Sequence, residues 1–330
     1  MHAELAEAIN ANYSIDYSDA VPVREGLVLH DGDFSYLLKK EFLSIERICF
    51  NHLVKEHLAK EGFPYTDRYI QSNSGEPYFI FQDDIFTISY YLRGKDCNFD
   101  SSIDLAKAAS ALAAMHTASV GTECPDKYIF AKRDLGMMPK IFQHRVDELK
   151  RFKKIARKGK SQFDYIFLKV ADIFIDQGEK ALFDLNNSQY TRLIEKCSID
   201  NSICHHDFTQ HNIVIADNIS YIKCFDNCCV EIKEYDIANF LRRKMRKCSW
   251  DLTDAKYMLD NYRSVCEISE SEFEVLKIIL NFPQKLWRIV NKYYNSKRSW
   301  CEKSCLDKIK EVMDEAGPLK LFIDNFDLLY

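Results

Sequence analysis

The stretch ICHHDFTQHNIVIADNISYIKCFD, residues 203–226, decides the fold. A short apolar lead-in (Ile203, Cys204) runs into His205-His206-Asp207. Asn212 follows, and after it comes the apolar run Ile213-Val214-Ile215. Asp217-Asn218 is a turn pair, since both residue types tolerate a left-handed backbone. A second alternating run ends at Asp226. The pattern predicts strand, loop, strand, turn, strand.

The loop holds the spacing H-x-D-x-x-x-x-N, which phosphotransferases of the protein-kinase shape use. In that arrangement the Asp orients the acceptor hydroxyl and the Asn binds Mg²⁺. A second Asp, after the next strand, binds Mg²⁺ at the β- and γ-phosphates. Phosphoryl transfer needs little covalent help, but it needs charge held in place. A five-residue step lets Asp207 and Asn212 face one cleft from a tight loop, and the hairpin returns Asp226 beside them. Asp207 is therefore the candidate catalytic residue, and Asn212 and Asp226 are the candidate metal ligands. A surface loop with a fortuitous Asn would not need the hairpin and its terminal carboxylate.

Composition sets wider bounds. The chain has 330 residues, a net charge of −5 and 47% hydrophobic residues, enough for one large or two modest domains with a substantial core. The near-neutral balance gives no reason to expect nucleic acid. No apolar run approaches the ~18 residues of a membrane span, and the polar, acidic start MHAELAEAINANYSID argues against a signal peptide. The twelve cysteines are scattered, with no C-x-x-C. Cys224, Cys228 and Cys229 cluster, and Cys301 and Cys305 lie one helical turn apart. Without a second ligand pair, free thiols are the expectation rather than a metal site.

Upstream, residues 1–20 read as a short helix and a tether. Residues 21–40 alternate around the turn Asp31-Gly32-Asp33, with strands near Leu27–His30 and Phe34–Lys39. Lys39 holds the place of a phosphate-contacting lysine, with Lys40 the neighbouring choice. A G-x-G-x-x-G loop is absent, and Gly26 is the only glycine before the hairpin. Residues 44–61 predict a helix with Ser44 as N-cap and Gly62 as stop, its apolar face drawn from Ile45, Ile48, Cys49, Leu53 and Leu58. Neither Glu46 nor Glu56 is well placed to pair a lysine from mid-helix. Residues 68–92 predict three short strands with turns at Ser74-Gly75 and Asp83-Asp84, which would complete a five-stranded antiparallel sheet. The last runs into Tyr90-Tyr91-Leu92-Arg93-Gly94, where Tyr90 and Leu92 would offer backbone groups to adenine.

The remainder predicts helices. Ser101/Ser102 cap one that carries Leu105, Ala109, Leu112 and His116 on a single stripe, and His116 reads as a buried histidine rather than a ligand. Two more helices span 139–157 and 161–185. Residues 150–160 (KRFKKIARKGK) are strongly basic, as a solvated helix end commonly is. Tyr235-Asp236-Ile237-Ala238-Asn239 opens a further helix, with Asp236 either capping it or reaching back to the 205–212 loop. Residues 251–330 predict three or four amphipathic helices.

Together these blocks resemble the CotS-type spore coat proteins, in the aminoglycoside phosphotransferase and choline-kinase-like group. The resemblance covers nearly the whole chain. It rests on YLLK (36–39), HLAKEGFP (57–64), YYLRG (90–94), LAAMHTAS (112–119), ICHHDFTQHNI (203–213) and EYDIANFLRR (234–243). It implies an α+β, bilobal protein-kinase-like fold. A small N-lobe, residues 1–92, would carry the five-stranded sheet and a helix, and a larger, mainly helical C-lobe would span 93–330. It also implies ATP and Mg²⁺ as cofactors, synthesis in the mother-cell cytoplasm, a place in the spore coat, and other coat proteins or a small-molecule acceptor as partners. By motif position Asp207 would be the catalytic Asp, Asn212 a Mg²⁺ ligand and Lys39 the phosphate lysine.

Three departures bear on activity. His206 stands where H-G-D has glycine, the Gly-rich loop is nearly absent, and Cys224-Phe225-Asp226 replaces Asp-aromatic-Asp. In one register Cys224 falls at the Mg²⁺ aspartate, supported by its twelve-residue step to Asp236; in the other, Asp226 is the metal ligand. Two functions stay open: a coat protein on a degenerate kinase scaffold, or an ATP- and Mg²⁺-dependent phosphotransferase acting on a small hydroxylated sugar or amino alcohol. A nucleotide-binding pseudokinase that recruits a partner is a third.

Overall fold

The computed structural model describes residues 3–295 and 302–330, so Cys301 lies outside it. The chain forms two compact units. The first takes in the sequence to Arg133 together with Asp200–Val230 and Ser264–Cys266.

The first unit opens with helix α1 (Ala3–Asn12), followed by strands β1 (Asp19–Val23), β2 (Gly26–Asp31) and β3 (Phe34–Glu41). Helix α2 (Ile45–Lys60) comes next, then β4 (Phe79–Phe81) and β5 (Asp84–Tyr90). The five strands form an antiparallel sheet in the order β1-β2-β3-β5-β4. Ile9 and Tyr13 of α1 pack with Leu29, Leu38, Phe79 and Ile88 as its core. The expectation of three strands within 68–92 fails: the fifth strand is β1, which straddles the end of the segment read as a tether and the start of the alternating 21–40 segment. The outer rim of β5 is shared between β4 and one bridge from Tyr69 to Ser89. The chain between them turns at Gly75, whose φ is +84°, and passes Pro77, which has no amide to donate. On the other rim, β1 is largely exposed and carries Pro22.

Helix α2 begins as its sequence dictates. Ser44 Oγ accepts from Arg47 N at 3.3 Å, and Gly62 follows the helix at φ +91°. Its buried face is Ile48, Phe50, Asn51, Val54, Lys55 and Leu58. Cys49 and Leu53 of the expected face are only half-buried, because two polar residues with partners of their own occupy the inner stripe.

Beyond the sheet the unit adds β6 (Lys95–Asp96), α3 (Ser102–Ala118), β7 (Ile203–Cys204), β8 (Ile213–Ala216), β9 (Ile219–Ile222) and β10 (Cys229–Val230). Ser101 caps α3, accepting from Asp104 N, and Leu105, Ala109, Leu112 and His116 are all buried. Strand β8 pairs with β6 and β9, and β7 with β10. The β8–β9 hairpin turns at Asp217-Asn218, with φ of +48° and +69°, the paired left-handed geometry of a two-residue hairpin. Gly94 lets the chain pass the hairpin: a Cβ there would lie 2.5 Å from Ile215 O.

The second unit comprises Asp134–Ile199, Glu231–Arg263 and Glu267–Tyr330. It is built from α4 (Met138–Ala156), α5 (Gln162–Asn187), α6 (Tyr190–Asp200), α7 (Glu234–Met245), α8 (Leu252–Arg263), α9 (Glu270–Asn281), α10 (Gln284–Asn295) and α11 (Glu302–Asp324). Helices α4 and α5 pack along one another, and Phe142 of α4 stacks on Phe282 with ring centroids 3.7 Å apart. A reciprocal Ser161–Asp164 cap opens α5, and Tyr294 OH donates to Asp164 Oδ1 at 2.6 Å. In the basic 150–160 stretch, Lys150 pairs Glu179, Arg151 pairs Glu148 and Lys153 pairs Asp172. That is the behaviour of a solvated helix end. No helix among the described residues is long and apolar enough to cross a membrane.

Candidate active site

Every residue singled out as a candidate lies in the first unit. The 205–212 loop is tied to itself. Asn212 Nδ2 donates to Asp207 O at 2.9 Å and to Asp207 Oδ2 at 3.1 Å. The amide nitrogen is thereby engaged, and the oxygen is the end of Asn212 available to a cation. Asp207 N donates to His205 Nδ1 at 3.2 Å, which places the ring proton on Nε2, facing Lys223 O at 3.0 Å. His205 is fully buried, with its ring edge-on to Phe225 at 4.9 Å. A neutral, oriented histidine thus links the loop to the segment after β9, and Lys223 N closes the link by donating to Asn212 O at 2.9 Å.

His206 has φ +66°. This left-handed backbone explains why glycine suits the middle of H-x-D, since a Cβ there crowds the following carbonyl. His206→Gly is expected to leave the melting temperature within a few degrees of wild type. His206→Val is expected to cost about 1–2 kcal/mol, because a β-branched side chain tolerates this region least. Thermal melts of the two variants check it.

Strand β9 stops at Ile222, short of the expected Asp226. Cys224 is left-handed at φ +65°, and Phe225–Asn227 form a single 3₁₀ turn. That turn aims Asp226 at β3: Asp226 Oδ2 lies 3.6 Å from Lys39 Nζ. Lys39 also meets Glu41 Oε2 at 3.2 Å. Glu41 is buried, and its other oxygen accepts from Thr87 Oγ1 at 2.8 Å. Burial works against the Lys39 charge, but Glu41 and Asp226 outweigh it and raise its pKa above that of an ordinary lysine. Lys40 points elsewhere, pairing Asp84 at 2.5 Å. The structure therefore brings Lys39 to Asp226, and Asp207 to Asn212.

The carboxylate paired with Lys39 comes from its own strand, not from α2. Glu56 is bound to Arg68 through both oxygens, at 2.9 and 2.5 Å, and Glu46 is exposed. Residues i and i+2 of a strand share a face, so the Lys39-x-Glu41 spacing was the available signal. On α2, Lys55 occupies the inner stripe at 1% exposure, with Nζ 2.8 Å from both Asp67 Oδ1 and Asp67 O, and 3.9 Å from the Tyr69 ring centre. Asp67 Oδ2 in turn accepts from Cys224 N at 3.1 Å. With its amide nitrogen turned inward, Asn51 donates to Phe225 O at 3.2 Å. Sequence reasoning missed Lys55, Asp67 and Asn51, the three side chains that hold residues 224–226.

Cys224 is a thiol in this setting. Burial pushes its pKa up to about 12, and Asp67 and Asp226 act in the same direction. The short β1–β2 turn stands over the neighbouring residue: Glu25 Oε1 meets Lys223 Nζ at 2.7 Å. Gly26 permits this turn to sit close, since a Cβ there would be 2.1 Å from Leu38 O. At the end of β5, Tyr90 N donates to Arg68 O at 3.2 Å and Tyr91 N to Ser35 O at 2.9 Å. The Tyr90 amide hydrogen is thus engaged within the protein. The Tyr90 ring lies against Tyr36, with centroids 5.8 Å apart.

Comparison with known proteins extends the picture. The chain is 26% identical over 299 residues to spore coat protein S of Bacillus subtilis (strain 168), covering 89% of this chain and 84% of the relative. An aminoglycoside phosphotransferase from Alicyclobacillus acidocaldarius superposes with a TM-score of 0.86 at 20% identity, over 98% of this chain and 95% of that one. Spectinomycin phosphotransferase, solved with ADP and spectinomycin, gives 0.61 at 14% identity, over 94% and 93%. These similarities establish a kinase-like phosphotransferase fold. The model of the family described as "Spore coat putative kinase YutH" matches residues 6–326, and the chain belongs to that family.

Proposed function

We propose that the chain is a spore coat component built on a phosphotransferase scaffold whose metal centre is incomplete, so that it transfers phosphoryl groups weakly or not at all. The observation that carries this reading is Cys224. It is the left-handed residue between Lys223 and the Phe225–Asn227 turn, and this reading takes the register in which it stands at the kinase pattern's metal aspartate. Mg²⁺ prefers hard oxygen donors and takes sulfur poorly. The oxygens left for it are the Asn212 amide and the Asp226 carboxylate, and Asp226 already faces Lys39. The fit to Mg²⁺ is therefore partial. Glu25 adds a carboxylate where a phosphate-covering loop would present backbone amides. In this reading Lys39 is the residue that would hold the phosphates of ATP, and Tyr90 and Leu92 those that would flank its base. The protein resides in the coat among other coat proteins after synthesis in the mother cell.

One observation favours a second reading, an active ATP-dependent O-phosphotransferase for a small hydroxylated substrate. The Asp207–Asn212 pair is fully formed. Here Asp207 would orient the acceptor hydroxyl, Asn212 and Asp226 would hold Mg²⁺, and bound ATP would supply the phosphoryl group.

Melting curves with ATP, with and without Mg²⁺, separate the two when run on wild type, Cys224→Asp and Asp226→Asn. Saturation at ~100 times the dissociation constant adds ~2.7 kcal/mol. The first reading expects no Mg²⁺-dependent rise in wild type and a new one in Cys224→Asp. A Mg²⁺-dependent rise in wild type that Asp226→Asn abolishes, with ATP turnover lost in Asp207→Ala, would establish the second.

A further inference from the structure

A separate cavity of about 380 Å³ lies wholly within the helical unit. Its walls come from the end of α7, from α10 and from α11, and they are strongly cationic. Arg242, Arg243 and Arg246 line one side and Lys285, Arg288 and Lys292 the other, with Lys308 completing the rim. Lys285 pairs Glu315 at 2.6 Å and Glu311 at 3.3 Å.

Arg242 is buried, and the acceptors it meets are uncharged, the Ile279 carbonyl and, at 3.4 Å, Asn239 Oδ1. Arg246 Nε is buried and makes no hydrogen bond. Burial above all, and then the like charges of Arg246, Arg145 and Arg288 against an opposing contribution from Tyr235, lower the pKa of Arg242 to about 9. Burial likewise lowers that of Arg246, with Arg288 and Arg243 adding to it and Glu315 opposing. Like charges gathered out of water are unfavourable unless a counter-charge joins them. The C-terminal dipole of α7 reaches Arg242, in its last turn, as well as Arg246, but it compensates only part of the charge of Arg242, the buried member of the group, while Arg288 stands exposed on the facing wall.

We propose that this cavity binds a small polyanion carrying two or more phosphate-type groups. The guanidinium fork matches phosphate oxygens two at a time. Arg242 and Arg246 stand one helical turn apart on one wall, and Arg288 and Lys292 one turn apart on the other. A spacing of ~5.4 Å along each wall suits two anionic groups better than one. The concave volume falls in the range of small-molecule sites, too small for a folded partner. All of its lining residues belong to the helical unit, and the Lys39–Asp226 pair belongs to the other.

The test is calorimetric titration of the intact protein with tripolyphosphate and with orthophosphate at matched ionic strength. Wild type, Arg288→Gln, Arg246→Gln and Lys39→Met are compared. Saturable tripolyphosphate binding is expected, at least tenfold weaker in Arg288→Gln and Arg246→Gln and unchanged in Lys39→Met. Orthophosphate should bind at least tenfold more weakly than tripolyphosphate. Without ligand, Arg288→Gln should melt at or above wild type, since it relieves repulsion. That separates lost binding from lost folding. Absence of saturable tripolyphosphate binding would overturn the proposal. So would binding lost only in Lys39→Met, or binding shown by polyglutamate and not by tripolyphosphate.

Discussion

Lys55→Ala lowers the unfolding free energy by about 3–5 kcal/mol, the loss expected when one partner of a buried ion pair is removed and the other is left uncompensated. Lys55 is 1% exposed and meets Asp67 twice at 2.8 Å, and its ammonium lies over the Tyr69 ring. Without it, Asp67 keeps the Cys224 amide and the limited water that its 20% exposed side chain admits. The pair itself contributes much less than this loss, because desolvating two ions offsets most of their attraction. Lys55→Met combined with Asp67→Asn is therefore expected to recover more than half of it. Urea denaturation of the single and double variants measures both numbers. A single-variant loss under about 1 kcal/mol would mean that the pair is solvated, as exposed pairs are. The same substitution should speed amide exchange at residues 224–226, because Asp67 and Asn51 are what hold that turn against α2.

The second large effect is a dependence on pH. Glu234 opens α7 at 1% exposure. Burial pushes its carboxyl up to about 8, the Glu272 carboxylate adds to this, and Lys233 opposes it. Glu231 is raised to about 7, again chiefly by burial. Between the ordinary carboxylate value of 4.5 and these raised values, the folded chain keeps protons that the unfolded chain has released. The contribution of these two groups to stability is then fully present below about pH 4.5 and is lost as pH rises through 7 and 8. A tenfold change in proton affinity corresponds to ~1.4 kcal/mol, so the rise from 4.5 to about 8 makes Glu234 alone account for a decline on the order of 5 kcal/mol. Glu234→Gln should flatten the profile and raise the urea midpoint above that of wild type at about pH 8.5 while changing it little near pH 5. An unchanged slope in that variant would assign the pH dependence elsewhere.

The parts of the fold that were legible in the sequence are those where one residue type has one local use. Ser44 and Gly62 bound α2, Ser101 starts α3, and Asp217-Asn218 turns the hairpin, each through backbone chemistry that does not depend on distant packing. The H-x-D-x4-N spacing likewise anticipated the Asp207–Asn212 contact, because both ends lie on one loop. What was not legible depends on partners far along the chain. Lys55 looks like a solvent-facing lysine until Asp67 is brought to it, and Asn51 looks like a break in an apolar face until Phe225 O is. Strand β1 was hidden for a related reason: residues 19–23 contain Pro22 and little continuous apolar sequence, and they become a strand only by pairing with β2.

Pro22 has a consequence for how copies of this protein can associate. A sheet rim with a full row of amide hydrogens is a template on which another chain can polymerise, as in fibrils. Here one rim is interrupted by a residue with no amide hydrogen, and the other offers the three residues of β4 and then a turn. Ribbon-to-ribbon growth is thus closed at both ends of the sheet. What this sheet then offers another copy is its side-chain surfaces, where contact is selective and reversible.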